Sequence, residues 1–150
     1  VKPGSTSDIF VQRIDNAPTI MDMLGLPVPG DMQGRSLVPV FEGKAPADWR
    51  NSMYYHYYEE GMPHFVLPNY GIRTERYKLI SYYGINEWEL FDLERDPDEM
   101  ESLFYEEGIQ VKPGYENVLN DLLKQLVDLR EYYKDDTGKP VKFWPRKSYN

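Results

Sequence analysis

The sequence predicts an α+β fold, a four-stranded antiparallel sheet packed on a long C-terminal helix. Three observations carry this. Four short strand-like runs crowd into residues 53–93, and the later ones follow one another across connections short enough for hairpins. One long apolar stripe comes after them, Tyr115, Leu119, Leu122, Leu126, Leu129 and Tyr133, at helical spacings of four and three. Aromatic residues make up 15% of the 150 residues although mean hydropathy is -0.66. Disordered chains are poor in aromatics, so the bulk of this one folds.

The first element is weak. Ile9-Phe10-Val11 suits one strand or one helical turn. Asp15-Asn16-Ala17-Pro18 then reads as a helix start. Asn16 or Asp15 is the expected cap, and Pro18 sits in the first turn, where its missing N–H is not needed. The helix runs from Ala17 to Leu24, and Gly25 suits the left-handed residue after it. Leu26-Pro27-Val28-Pro29-Gly30 cannot continue a helix. The extended stretch to Gly43-Lys44-Ala45-Pro46 is the best boundary in the chain, which divides the reading into residues 1–45 and 46–150.

The four strands are Met53–Tyr58, Tyr70–Thr74, Tyr77–Tyr83 and Trp88–Leu93. Gly61–Pro68 is a loop, and Glu75-Arg76 and Gly84-Ile85-Asn86 are hairpin connections. Asp96-Pro97-Asp98-Glu99 is a turn, its proline presetting φ. Gly108–Gly114 is a second loop. The helix then spans Tyr115 to Lys134, with Val118, Leu123 and Val127 widening its apolar face enough to pack on a sheet. The tail Lys139–Asn150 carries Lys139, Lys142, Arg146 and Lys147 and no acid, and a solvated or packed tail is its plainer reading.

Charge and composition exclude several functions. A net charge of -8 argues against nucleic acid and anionic membranes as partners, because both need a basic field. No apolar run approaches the roughly 18 residues of a membrane span. With no cysteine there is no disulfide, thiolate metal site or cysteine nucleophile.

No catalytic motif is visible. The carboxylates Glu59, Glu60, Asp92, Glu94, Asp96, Asp98, Glu99 and Glu101 show no pair set across a cleft, and Asp96–Glu99 lacks the spacing of a calcium loop. Asp15-Asn16 could be imagined as a metal pair, but capping is the stronger reading. His56 and His64 are too few for zinc. His56 reads as a satisfied strand histidine, while His64 lies in an irregular loop, where binding residues often sit. There is no nucleophile elbow, P-loop or dinucleotide fingerprint. Arg73, Arg76 and Lys78 place cations on one hairpin. Guanidinium groups suit sulfate, phosphate or carboxylate, but an ordinary hairpin with charge pairs to Glu75, Glu87 or Glu89 is the plainer reading.

Five stretches, in order, carry a resemblance. They are Ile14-Asp15-Asn16-Ala17-Pro18-Thr19, Leu24-Gly25-Leu26-Pro27-Val28-Pro29, and Asp31-Met32-Gln33-Gly34-Arg35-Ser36-Leu37. Tyr70-Gly71-Ile72-Arg73-Thr74-Glu75-Arg76-Tyr77-Lys78-Leu79-Ile80 and Trp88–Glu99 complete them. Together they resemble the C-terminal end of a formylglycine-dependent sulfatase of the alkaline-phosphatase-like superfamily. The wording is similar to bacterial carbohydrate sulfatases of the N-acetylglucosamine-6-sulfatase or N-sulfoglucosamine sulfohydrolase types.

The resemblance implies a small subdomain of four antiparallel strands and a long helix, preceded by the terminal strand–helix piece of a larger α/β domain. It implies a parent enzyme that hydrolyses sulfate esters, with this part shaping the substrate cleft and inactive alone. Calcium and a formylglycine, made from Cys or Ser in C/S-x-P-x-R, are expected elsewhere in the parent, because no Ser here heads that pattern. Expected partners are the N-terminal catalytic domain and a sulfated carbohydrate, with dimerisation through the exposed strand–helix piece allowed. Export is the family habit. Many relatives have His where Asn69 stands, facing the substrate, which makes Asn69 the first expected substrate contact; His64, from its loop, and Arg73, from its hairpin, are the other two. Two other functions stay open: a freestanding carbohydrate-binding or interaction module using the Tyr-rich strand, and a phosphodiesterase or phosphonate hydrolase of the same superfamily.

Overall fold

The structure is a computed structural model that describes residues 3–4, 6–59, 65–105 and 108–138. The chain divides into two compact units, Val1–Met53 and Tyr54–Asn150.

The first unit holds a 3-10 turn at Arg13–Asp15, helix α1 (Asn16–Met23) and the short helix α2 (Val38–Phe41). Ile9-Phe10-Val11 forms neither a strand nor a helical turn, contrary to expectation. The carbonyl of Phe10 is satisfied by Trp49 instead, whose Nε1 donates to it over 2.9 Å. Trp49 itself lies between the guanidinium groups of Arg35 and Arg50, 4.8 and 5.3 Å from its ring centre.

Asp15 sits at the N-cap of α1, but its side chain does not cap. It is completely buried, and a buried carboxylate needs strong partners. Its oxygens accept from both ends of the Arg50 guanidinium and from the backbone N–H groups of Gln12 (2.7 Å) and Arg35 (2.9 Å). Thr19 joins α1 to α2: its hydroxyl donates to Asp15 O at 2.6 Å and accepts from the Leu37 N–H at 2.9 Å. Gly34 permits the close approach behind this knot, since a Cβ there would lie 1.9 Å from Ile14 O.

The sheet has the order β1-β2-β3-β4, with β1 (Ser52–Tyr57), β2 (Asn69–Thr74), β3 (Tyr77–Tyr82) and β4 (Glu87–Asp92). β2 and β3 pair antiparallel from Tyr70↔Ser81 to Arg73↔Lys78, and β3 and β4 from Tyr77↔Asp92 to Tyr82↔Glu87. Helix α3 (Glu116–Tyr132) follows. Tyr70, Ile72, Leu79, Trp88 and Leu90 project from one sheet face and form the core with Leu119, Leu122 and Leu126 of α3. This is the expected α+β architecture.

Side chains alternate along a strand, so Asn69, Gly71, Arg73, Lys78, Ile80, Tyr82, Glu87, Glu89 and Phe91 belong to the other face. Gly71 matters there: a Cβ would meet Leu79 O at 2.4 Å and the Tyr55 hydroxyl at 2.6 Å, so Tyr55 lies over a gap that only glycine leaves. Beyond β4, the stretch expected as a plain loop makes a bridge between Phe104 and Val111, and it covers part of the edge through Leu103 N–H to Leu90 O (2.7 Å) and Trp88 N–H to Gly108 O (2.8 Å).

The hairpin cations do not pair with Glu75, Glu87 or Glu89. Arg76 grips Asp92 through two hydrogen bonds of 3.0 and 2.8 Å and also reaches Glu94, while Lys78 pairs with Glu99. The partners across the sheet are nearer to these side chains than the hairpin glutamates. Asp96 uses its carboxylate to accept from the Met100 and Glu101 N–H groups, which closes the expected turn.

Candidate functional site

Two polar regions of the second unit bear on function, one inside the sheet–helix sandwich and one on the opposite sheet face. The inner one is built on β1 and the end of α3. Tyr54 and His56 alternate inward from β1, and Asp135 meets them just after α3. The Tyr54 hydroxyl donates to Asp135 Oδ2 at 2.5 Å, and His56 Nδ1 lies 2.6 Å from the same oxygen. Thr137 donates from its N–H and its hydroxyl to Oδ1. Burial opposes ionisation of Asp135, but these donors outweigh it and hold the carboxyl well below the usual carboxylate range. Burial and the Asp135 contact push the Tyr54 phenol up, so it remains a neutral donor.

Rings close the region. His56 stacks on Tyr58 at 3.8 Å and meets Tyr70 and Tyr83 edge-on, each at 5.5 Å. Tyr54 stacks on Tyr133. Arg130, in the last turn of α3 where a cation suits the helix dipole, lies 4.1 Å over Tyr70 and donates to Thr137 O. Much of the tyrosine excess is therefore spent internally, and among these rings Tyr58 is the one mainly exposed. His56 is a satisfied strand histidine, as its setting in the sequence suggested.

On the other face, β2 places Asn69 and Arg73. Asn69 is buried and its amide donates to Leu67 O at 2.8 Å, which fixes the side chain at the mouth of the strand. Phe65, Val66 and Leu67 before it are exposed, forming an apolar rim. Arg73 is exposed. The two stand four positions apart on the strand, about 13 Å at the usual rise. His64 lies outside the described residues, as do the basic tail and residues 60–63.

A cleft of about 940 Å³ beside β4, lined among others by Tyr82, Glu87, Glu89, Met100, Glu101 and Tyr105, was not expected from the sequence. Tyr82 donates to Glu89 at 2.9 Å; burial and this carboxylate push its phenol up to about 12. Its signal was the repeated Glu at 87 and 89, which a strand sends to one face. Asp135 was missed as well, read only as part of a helix end. The described residues do not fit a calcium site, since no group of three carboxylate or histidine side chains among them could hold a metal. No described helix is long and apolar enough to cross a membrane.

Comparison with known proteins places this geometry. The family model for the N-sulphoglucosamine sulphohydrolase C-terminal region matches residues 1–132. An N-acetylglucosamine-6-O-sulfatase of Bacteroides thetaiotaomicron is 45% identical over 139 residues, covering 91% of this chain and 24% of that protein. The structure of BT4656 in complex with its substrate D-glucosamine-2-N,6-O-disulfate superposes with a TM-score of 0.75 at 41% identity, over 85% of this chain and 25% of that one. A phosphonate monoester hydrolase of Agrobacterium radiobacter gives 0.64 at 27% identity, over 79% and 24%. The chain belongs to the N-sulphoglucosamine sulphohydrolase C-terminal family. It spans about a quarter of the length of the relatives it matches.

Proposed function

We propose that this chain is the C-terminal part of a carbohydrate sulfatase, and that it walls the substrate cleft while the chemistry is done elsewhere in the parent. The observation that carries the reading is the 45% identity to an N-acetylglucosamine-6-O-sulfatase across nearly the whole chain. An N-acetylglucosamine bearing a 6-O-sulfate is accordingly the substrate class of choice. Asn69, held at the strand mouth by its bond to Leu67 O, offers an amide to a sugar hydroxyl. Arg73 offers a guanidinium suited to a sulfate or carboxylate further along the chain of the sugar. His64 is the third contact in this reading. A formylglycine nucleophile and calcium complete the parent outside this chain, which itself holds neither a cysteine nor the C/S-x-P-x-R pattern.

The first unit supports a parent of that size. Ile20, Met23 and Leu24 are 58, 68 and 67% exposed, an apolar strip suited to cover by the larger domain. In the isolated chain the same strip would pair two copies.

The test uses the full-length parent with N-acetylglucosamine 6-sulfate and with a phenylphosphonate monoester. Sulfate release with little phosphonate turnover is expected. Preferred turnover of the phosphonate ester would overturn the reading in favour of the phosphonate hydrolases that share this fold.

A further inference from the structure

We propose that the cleft beside β4 receives the sugar next to the sulfated one, and that it selects a neighbour without an acid group. This rests on the reading of Asn69 as a substrate contact. The sheet register carries it. Tyr70 pairs with Ser81. One step further along the same register, Asn69 at the start of β2 stands beside Tyr82 at the end of β3. Tyr82 in turn pairs with Glu87 on β4. Residues directly opposite on antiparallel strands share a face. Asn69, Tyr82 and Glu87 therefore form one row across the outer face, about 10 Å long at two strand spacings. Tyr82 and Glu87 line the cleft, so the strand mouth that holds Asn69 leads into it.

The cleft suits a small polar ring. Its volume of about 940 Å³ falls in the usual range of small-ligand sites. The wall beyond β4 is preformed. Leu103 N–H bonds to Leu90 O, Trp88 N–H to Gly108 O, and Leu90 N–H to Ser102 Oγ at 3.3 Å. Met100 and Tyr105, 79 and 46% exposed, offer apolar surface to a sugar ring. Glu87 and Glu101 are exposed carboxylates able to accept from sugar hydroxyls. Among the described lining residues, Glu87, Glu89 and Glu101 stand against the single cation Lys112. A sulfate or carboxylate on the neighbouring sugar meets like charge there, whereas a neutral or amine-bearing sugar does not.

The test is sulfate release by the full-length parent from N-acetylglucosamine 6-sulfate alone, from the same sugar linked to galactose, and from the same sugar linked to glucuronic acid. At low salt, kcat/KM for the galactose-linked probe is expected to exceed that for the glucuronate-linked one about tenfold or more. In about 1 M salt, where charges are screened within roughly 3 Å, the ratio should fall to about threefold or less. Glu87→Lys with Glu101→Lys should reverse the preference. Should that variant fail to fold, the nearly isosteric Glu87→Gln with Glu101→Gln keeps the test sharp, and it should bring the low-salt ratio down toward the high-salt one. A merely structural role for these glutamates would lower turnover of both linked probes and leave their ratio unchanged. A ratio near one in the unaltered parent at low salt overturns the proposal, and so does a ratio that ignores both pairs of substitutions. In either case sulfate release from the monosaccharide keeps the sulfatase reading itself. No release from any of the probes overturns that reading, and the subsite with it.

Discussion

His56 Nδ1 and Asp135 Oδ2 lie 2.6 Å apart although 79 residues separate them, and their side chains are 3 and 8% exposed. The pair ties the strand β1 to the turn that ends α3, with Tyr54 donating to the same oxygen. Removing one partner leaves buried donors unsatisfied, which costs about 1–3 kcal/mol. Asp135→Ala is therefore expected to lower the urea midpoint of unfolding, with the slope unchanged. A midpoint within error of the unaltered protein would show that the pair adds nothing.

Acid should weaken the fold in a defined window. Arg76 chiefly holds the Asp92 carboxyl below its ordinary value of 3.8. Burial works against Asp15 and Asp135, but their hydrogen-bond donors more than compensate and lower both. A carboxylate with a depressed folded pKa contributes its stability fully above the unfolded value. That contribution is lost as pH falls below about 4 toward the folded values. Stability should be flat in these groups from pH 5 to 7 and drop between pH 4 and 2. Asp135→Asn should make the drop shallower, and an unchanged acid limb in that variant would contradict the assignment.

Asp15 and Arg50 test the first unit. Arg50→Met leaves a fully buried carboxylate with only two backbone donors, at a cost of about 3–5 kcal/mol. Asp15→Asn with Arg50→Met should recover a large part of that loss. Tryptophan fluorescence of Trp49 follows the unfolding, since Arg50 lies against its ring. A double variant no more stable than the single one would mean that the ion pair itself, not the stranded charge, sets the cost.

Gly71→Ala should destabilise the sheet by about 1–3 kcal/mol, because the new methyl meets the Leu79 carbonyl and the Tyr55 ring. Tyr55→Ala in the same chain removes one of the two obstacles. If Gly71→Ala is neutral in thermal unfolding, the close approach of Tyr55 is wrong.

The fold was legible because its signals are local. Each strand runs within two residues of its expected span, since alternation and short hairpins fix both register and ends. Helix α3 was equally plain from its apolar stripe. What escaped were pairings between residues far apart in sequence. Asp15 looked like a cap because its neighbours are those of a cap; only the fold brings Arg50, 35 residues on, to claim it. Asp135 looked like the end of a helix for the same reason. The two-residue bridge beyond β4 has no period to detect. Asn69 came from resemblance and Arg73 from its guanidinium on the hairpin, and the strand sets them on one face without bringing them together.

In the proposed function Asn69 and Arg73 are substrate contacts. In the full-length parent, Asn69→Ala and Arg73→Ala are each expected to lower kcat/KM for a sulfated N-acetylglucosamine about tenfold, or ~1.4 kcal/mol. Arg73 is exposed, so its loss should leave stability within about 0.5 kcal/mol. Full activity in both variants would remove them from the substrate wall.

The central claim is that this chain shapes a sulfatase cleft without performing the chemistry. Sulfate release from N-acetylglucosamine 6-sulfate, measured side by side for the full-length parent and for residues 1–150 alone with calcium present, tests it most directly. The account predicts turnover by the parent and none above background by the chain alone. Metal-dependent sulfate release by residues 1–150 would contradict it.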